Sequence, residues 1–338
     1  MKKSTVLVIC VMVQILFSNN AYANSVDENV ENNVPEQIDF SDSISSIRTR
    51  SGDQSIHIDG EQWDQTIKDA YKEKYPDYDG KVKIVDINDE TNTEEISFEE
   101  SFGELPLDGG NLLSRSFAGV PTTGTPNSSI GKVKLYWFLS NGVVKHASGT
   151  VFKVSDNVFG TAGHVVYDRA NGYGWAGQGS ILFGCTRSAN GGINTKALYG
   201  VTSLSTNSAW TDTPDYHKAW GSDFGHIKAK LSFGTAPANL KLHTGTVPQS
   251  VSGTSYGYNG GVNEVSFSKA VGQLRTSTLF YGNIYEATWS IMPLRGGMSG
   301  GPVFDNSNRI IGINSNISED GKTSRFVKLR YTIVNSFK

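Results

Sequence analysis

Residues 116–338 alternate between apolar and polar side chains over many short runs, a pattern typical of half-buried β-strands. Gly, Asn and Pro clusters separate these runs, and Asn141-Gly142 between two of them is a strong hairpin signal. Many short strands at close spacing predict a sandwich or barrels. The predicted strands cover 132–139, 143–154, 180–183, 224–229, 251–258, 264–267, 284–289 and 309–313.

Helical periodicity appears at two places. A predicted helix over 63–75 is followed by an alternating strand over 81–87, which indicates a small folded α+β module. The apolar side of this helix consists of Trp63, Ile67, Ala70 and Tyr71. The second place predicts a C-terminal helix packed on the strands, because one helical face is formed by Phe326, Leu329, Ile333 and Phe337.

The first residues have the parts of a secretory signal peptide. Two lysines precede an apolar run over 6–17, and a small-residue cleavage signal, Ala-Tyr-Ala, ends at residue 23. This run is shorter than the ~20 residues of a membrane-spanning helix, and no later stretch is long enough. The sequence therefore predicts a signal peptide over 1–23 and an exported protein with no membrane anchor.

Charge divides the rest of the chain into two parts. Hydrophobic residues make up 37% and charged residues 19% of the 338 residues, and 37 glycines favour turn-rich β structure. The overall net charge of −3 conceals −15 over 24–115, from 23 acidic and 8 basic residues, and +10 over 116–338. We expect the acidic part to pack on the basic part. The alternative for the acidic part is a solubilising tail.

The boundary between the two parts is predicted at Arg115-Ser116, after a Gly-Gly-Asn loop over 109–111, so that 24–115 is a removable leader, or propeptide. Basic residues beyond it are scattered rather than gathered beside aromatic ones, which argues against nucleic acid as a partner. Cys10 belongs to the signal peptide, and Cys185 is therefore predicted to be an unpaired core residue.

Three short stretches contain the groups that nucleophilic catalysis needs. They are GTAGHVV over 160–166, GSDFGHI over 221–227 and RGGMSGGPVF over 295–304. A serine hydroxyl needs a base to remove its proton, and a histidine base needs a carboxylate to fix its tautomer. Ser299, His164 and Asp223 supply one candidate for each role. Asp212 and Asp215 are weaker candidates for the carboxylate, because they lie in a Thr/Pro loop.

The order of these residues along the chain discriminates between folds. The α/β-hydrolases need serine, acid and then histidine, but the last histidine here is His243, before Ser299. The subtilisin order needs the acid before the histidine, and no early Asp has a matching context. The order that remains, His164, Asp223 and Ser299, is the one used on paired β-barrels.

TAGHV, SDFGHI and GGMSGGPVF together resemble the trypsin-like (chymotrypsin-fold) secreted serine endopeptidases, within them the bacterial glutamyl endopeptidase group. The resemblance covers nearly all of 116–338 and implies two antiparallel six-stranded β-barrels with the site between them, preceded by a propeptide. It implies His164 as general base and then acid, Asp223 as its orienting carboxylate and Ser299 as nucleophile. The Gly297 and Ser299 N–H groups would form the oxyanion hole. No cofactor is implied, and no spaced Cys/His cluster indicates a metal.

Two positions depart from the family pattern. Trypsin-type zymogens have an Asp before the nucleophile that pairs with the new N-terminus; Met298 occupies that position here, which excludes this ion pair. Glutamyl endopeptidases have a histidine in the wall of the pocket for the residue before the scissile bond, where this chain has Asn314. Leu294 and Arg295 are predicted to border the same pocket.

These observations predict a secreted serine endopeptidase over 116–338 that hydrolyses polypeptides through an acyl-enzyme on Ser299. Its second partner would be its own leader over 24–115, as intramolecular inhibitor or chaperone. Two alternatives stay open: a secreted binding protein on the same fold with a decayed site, and an esterase with the same three residues.

Overall fold

The computed structural model describes residues 56–58, 60–86, 117–188, 192–260, 264–330 and 333–334. All of these belong to one unit of the chain, Ile38–Lys338. The predicted signal peptide and the predicted cut at Arg115 lie outside the described residues. Within the described ranges, no helix has the length and apolarity that crossing a bilayer requires.

The predicted leader, as far as the structure describes it, contributes two strands and one helix. Trp63, Ile67, Ala70 and Tyr71 are all buried, as the periodicity predicted, while the opposite side of the helix is exposed. These elements, with a short strand that follows the leader, are β1 (Ile56–Ile58), α1 (Gly60–Lys74), β2 (Lys83–Asp86) and β3 (Phe117–Gly119).

The first barrel consists of six strands in the order β5-β4-β9-β12-β13-β6, and pairing of β5 with β6 closes it. The rings of Phe159, Phe183 and Tyr199 meet in its core at centroid distances of 5.0–5.8 Å. The six strands are β4 (Ile130–Phe138), β5 (Val143–Lys153), β6 (Val158–Thr161), β9 (Gln178–Phe183), β12 (Ala197–Thr206) and β13 (Gly225–Gly234).

The loops of this barrel contain short elements that frame its open end. Asn141-Gly142 forms the tip of the predicted β4–β5 hairpin, with Gly142 at φ +82°, a conformation that glycine adopts without strain. The short elements are α2 (Gly163–Val166), β7 (Tyr167–Asp168), β8 (Gly174–Trp175), β10 (Thr186–Arg187), β11 (Ile193–Thr195), α3 (Ser208–Thr211) and α4 (Tyr216–Trp220).

The second barrel has the order β14-β17-β18-β19-β16-β15 and is closed by pairing of β14 with β15; β3 adds to the outer edge of β15. Two closed six-stranded antiparallel barrels confirm the predicted fold class. The strands are β14 (Ser250–Asn259), β15 (Ser266–Thr276), β16 (Ile284–Thr288), β17 (Pro302–Phe304), β18 (Ile310–Ile317) and β19 (Thr323–Lys328).

The C-terminal helix differs from its predicted extent. Phe326 lies in β19 rather than on the helix, because residues 323–328 pair with β18 and β16. A helical turn follows, in which the Val334 N–H donates to the Arg330 carbonyl at 2.9 Å. Leu329 and Ile333 are buried, as predicted. Phe337 lies outside the described residues.

The leader packs on the first barrel as an added layer. β2 runs parallel to β5 and pairs with Val143–His146, whereas β6 pairs only with Phe152 and Lys153 at the other end of β5. β1 pairs with β11. Between these strands, α1 places the Trp63 ring against Tyr136 of β4, where the indole N–H donates to the phenol oxygen.

Four leader residues bond to backbone groups at the β4–β5 hairpin, one of them Tyr78, whose hydroxyl donates to the Asn141 carbonyl at 3.4 Å. The Tyr71 hydroxyl donates to the Leu139 carbonyl at 2.7 Å and accepts from the Gly142 N–H at 2.8 Å. The Lys83 N–H donates to the Gly142 carbonyl at 2.9 Å, and the Tyr75 hydroxyl to the Phe138 carbonyl at 3.2 Å. The leader therefore bonds to the polar tip of the hairpin as well as to the free edge of β5.

Tyr71→Phe removes both hydroxyl bonds and keeps the ring, so that a buried N–H and a carbonyl lose their partner. We expect the full chain to lose about 1–3 kcal/mol of unfolding free energy, measured by urea unfolding. Tyr281→Phe is the matched control, because that hydroxyl donates to Asp215 on the exposed surface. A loss no larger than that of the control would contradict the role given to Tyr71.

Candidate active site

His164 lies on a single helical turn at the end of a barrel strand. β6 ends at Thr161, and α2 begins at Gly163, one residue before the histidine. A Cβ at Gly163 would lie 2.8 Å from Thr206 Oγ1 and 3.1 Å from Asp223 Oδ1. Glycine at this position therefore allows the turn to approach the carboxylate.

Asp223 has no exposed surface and is bonded to the histidine twice. Its Oδ1 accepts from the His164 N–H, and its Oδ2 lies 2.8 Å from His164 Nδ1. Ser315 on β18 of the second barrel donates to Oδ2 at 2.6 Å. A buried carboxylate is costly unless it is paired and hydrogen-bonded, and these three donors meet that requirement.

The carboxylate sets the protonation chemistry of the histidine. Burial lowers the pKa of His164, but the charge and the hydrogen bond of Asp223 outweigh burial and hold the pKa above its ordinary value. With Nδ1–H directed at the carboxylate, Nε2 is the nitrogen that accepts a proton. His164 is therefore positioned as a base whose protonated form is stabilised.

The weaker candidates for the acid have structural roles. Asp215 precedes α4 and its carboxylate accepts from the Lys218 N–H, which is a helix N-cap. Asp212 is the residue that ends α3. Of the three sequence-predicted acids, only Asp223 contacts His164.

Ser299 follows a tight turn over Arg295–Met298. The Met298 N–H donates to the Arg295 carbonyl at 3.0 Å, and Gly297, at the third position, has φ +85°, as a type II turn requires. The Gly296 carbonyl accepts from the Gly260 N–H at 2.9 Å. Because a trans peptide directs its C=O and N–H oppositely, the Gly297 N–H points away from Gly260.

One cleft of about 530 Å³ joins these groups. His164, Gly297 and Ser299 all line it, and three tryptophans form much of its wall: Trp137, Trp210 and Trp220. The rings of Trp210 and Trp220 meet edge to face at 5.0 Å, and their centroids lie 6.2 and 6.0 Å from that of His164. The cleft can bind bulky apolar groups beside the histidine.

The residues predicted to border a substrate pocket lie elsewhere. Leu294 is buried and its carbonyl accepts from the Trp289 indole N–H, Arg295 is exposed, and Asn314 is fully buried with its amide bonded inside the protein. None of the three lines the cleft. Their assignment to a substrate pocket stays a prediction.

Sequence reasoning missed two polar residues of the site. Ser315 follows Asn314 on β18, and Thr150 on β5 donates to the Gly297 carbonyl through its hydroxyl at 2.8 Å. Neither residue lies in a recognisable sequence motif, because each bonds to a residue of the other barrel that is distant in the chain. Among the residues that the structure describes, no group of three His, Cys, Asp or Glu side chains is arranged to hold a metal ion.

The closed barrels and this site define a protein of the chymotrypsin fold. A Glu endopeptidase in complex with MPD has the same fold, with a TM-score of 0.50 at 20% identity over 66% of this chain and 94% of that one. Protease Anisep from Arthrobacter nicotinovorans is 16% identical over 62% of this chain and 93% of its own, with a TM-score of 0.48. The thermostable serine protease AL20 is 17% identical over 62% and 95%, with a TM-score of 0.47.

No protein-family model matches the chain, and a search of curated proteins returned no relative. The likeness to the solved structures concerns the fold.

Asp223→Asn removes the charge that opposes burial at His164 while keeping the size of the side chain. We expect the pKa of His164 to fall, because burial is then opposed only by the charge of Asp168. The shift is measured by NMR titration of the histidine ring protons, with the His164 signal assigned from a His164→Gln variant. The other histidines provide the internal control. An unchanged pKa at His164 would show that the Asp223 charge does not set it.

Proposed function

We propose that the chain is a secreted serine endopeptidase, made with a signal peptide over 1–23 and a leader over 24–115. The observation that carries the proposal is that His164, paired with the buried Asp223, lines the same cleft as Ser299 and Gly297. This combination of base, orienting acid, nucleophile and N–H donors is what acyl transfer requires.

In the proposed reaction, Ser299 Oγ attacks the peptide carbonyl carbon while His164 Nε2 takes the hydroxyl proton. The carbonyl oxygen becomes an oxyanion that accepts hydrogen bonds from the Gly297 and Ser299 N–H groups. As the C–N bond breaks, the imidazolium donates its proton to the leaving amine, which leaves an acyl-enzyme. Water then attacks the ester in the same way, with His164 as base, and releases the acid and free Ser299.

We assign the preference for substrate side chains to the part of the cleft wall that the three tryptophans form. One structural neighbour is a Glu endopeptidase, but Asn314 is neutral and its amide is already bonded to protein groups. It supplies no charge for a substrate carboxylate. Bulky apolar side chains beside the scissile bond fit the surface formed by Trp137, Trp210 and Trp220.

The leader is assigned a chaperone role rather than that of an inhibitor in the cleft. None of its described residues, 56–58 and 60–86, lines the cleft. They instead add a strand to β5 and satisfy the β4–β5 hairpin, which would otherwise present unpaired backbone groups. A leader with these contacts favours formation of the first barrel.

A digest of a denatured protein by the wild-type chain, with Ser299→Ala in parallel, tests the proposed enzyme. We expect new termini only with wild type, and bulky apolar residues enriched beside the cuts. The turnover of Ser299→Ala should fall by several orders of magnitude, since comparable serine exchanges cost about 10⁶-fold. Mass spectrometry of the termini reads both results.

Equal cleavage by the two proteins would remove the catalytic assignment. Ester hydrolysis without any peptide cleavage would favour the esterase, and no reaction with either substrate by a folded, processed chain would favour a binding protein.

Trp63→Ala removes the largest leader side chain from the first barrel without touching the cleft. In a Ser299→Ala background, which prevents self-cleavage, we expect a lower yield of native protein after dilution from urea, because the buried indole and its bond to Tyr136 are lost. Near-ultraviolet circular dichroism measures the yield. Gln65→Ala on the exposed side of the same helix is the control. Equal yields for the two variants would contradict the chaperone role.

A further inference from the structure

Four consecutive carbonyl groups of the nucleophile turn accept hydrogen bonds from outside the turn. Gly260 and Thr150 supply backbone N–H donors, and Thr150 and Asn314 supply side-chain donors. The Gly296 carbonyl accepts from the Gly260 N–H at 2.9 Å, and the Gly297 carbonyl accepts from Thr150 Oγ1 at 2.8 Å. The Met298 carbonyl accepts from Asn314 Nδ2 at 3.0 Å, and the Ser299 carbonyl accepts from the Thr150 N–H at 2.8 Å.

Thr150 ties the turn to the first barrel. It has no exposed surface, and its hydroxyl accepts from the Tyr258 N–H at 2.9 Å while donating to Gly297. Its own carbonyl accepts from Thr161 Oγ1 at 2.9 Å, three residues before His164. The same residue therefore contacts the turn that contains the nucleophile and the strand that leads to the base.

Asn314 ties the turn to the second barrel. Its Nδ2 donates to the carbonyls of Met298 and Tyr256, at 3.0 and 2.8 Å, and its Oδ1 accepts from Ser255 Oγ at 2.7 Å. With both ends of the amide bonded and the side chain fully buried, only one orientation satisfies all three bonds.

These hydrogen bonds of Thr150 and Asn314 are present in a chain that still contains its leader. Residues 60–86 are packed on the first barrel, and Gly297 nevertheless has the φ of +85° that its turn requires. Met298, which precedes the nucleophile, is fully buried and has no charge to pair with a new N-terminus. The shape of the turn therefore has a source other than a terminal ion pair.

We propose that Thr150 and Asn314 are positioning residues that hold the Gly297 and Ser299 N–H groups in their oxyanion-binding arrangement, so that the catalytic turn is formed before the leader is removed. This inference rests on the proposed function. It names the residues that hold the oxyanion-binding N–H groups in place, and it states that this arrangement exists before the leader is removed.

A small alkyl fluorophosphonate tests both parts, because it phosphonylates a serine only with a working base and oxyanion site. In this step the Ser299 oxygen–phosphorus bond forms, fluoride leaves, and the hydroxyl proton passes to His164. We expect Ser299 of the full chain, with its leader verified by mass, to react within about threefold of the processed chain. Thr150→Val and Asn314→Ala should each slow the reaction by at least tenfold, up to the ~10²–10³ that loss of an oxyanion donor costs.

The kinetic pattern separates positioning from general damage. We expect kcat for a peptide substrate to fall with KM within about twofold, and Thr150→Ser, which keeps the hydroxyl, to restore most of the rate. Thr195→Val is the matched control, because Thr195 is also fully buried, and its hydroxyl lies within donating distance of two carbonyls of the first barrel, those of Phe183 and Ala197.

Each contrary outcome has its own meaning. Labelling that appears only after leader removal would overturn the pre-formed turn, and equal rates for Thr150→Val and Thr195→Val would overturn the positioning role. If Thr150→Val does not fold, the labelling rates of Asn314→Ala and Thr150→Ser are compared instead. Equal rates for these two variants would overturn the positioning role. No labelling of the wild type, full or processed, would overturn the proposed function itself.

Discussion

The site depends on the burial of one carboxylate. Asp223 has no exposed surface, and a charge in that position is stable only with donors around it. Two donors come from His164, and the third comes from Ser315 on the second barrel. The hydrogen bonds that Asp223 requires therefore fix the ring of His164 and join the two barrels at the candidate site.

A second set of contacts across the same junction fixes the nucleophile. Thr150 extends from β5 into the turn before Ser299, and Asn314, next to Ser315 on β18, binds the turn from the other side. Two neighbouring residues of β18 thus reach both parts of the site: Ser315 bonds to Asp223 and Asn314 to the turn before Ser299. A relative shift of the barrels would disturb both contacts at once, which makes rigidity of this junction a condition for the proposed reaction.

The residues that sequence analysis found are those with a local signal. His164, Asp223 and Ser299 each lie in a short motif, the alternation of β4 and β5 predicted their hairpin, and the face of α1 was correct residue by residue. Thr150 and Ser315 have no such signal, because their partners are far away in the chain. At the C-terminus, Phe326, Leu329 and Ile333 fit a helical period, yet strand pairing with β16 and β18 decided the conformation of Phe326.

The described part of the predicted leader, residues 56–58 and 60–86, contacts the first barrel mainly through groups that carry no charge. The charge difference between the two parts of the chain predicted that they pack together. The contacts described for α1 and β2 include buried rings, a parallel strand pairing and hydrogen bonds to the backbone of the β4–β5 hairpin, and the charge of Asp64 also acts on Lys134 of β4. The acidic side chains of Asp64, Asp69 and Glu73 lie on the exposed side of the helix. A surface that matches a strand edge and a hairpin tip recognises a folded barrel, whereas complementary charge alone would not distinguish the folded barrel from the unfolded chain.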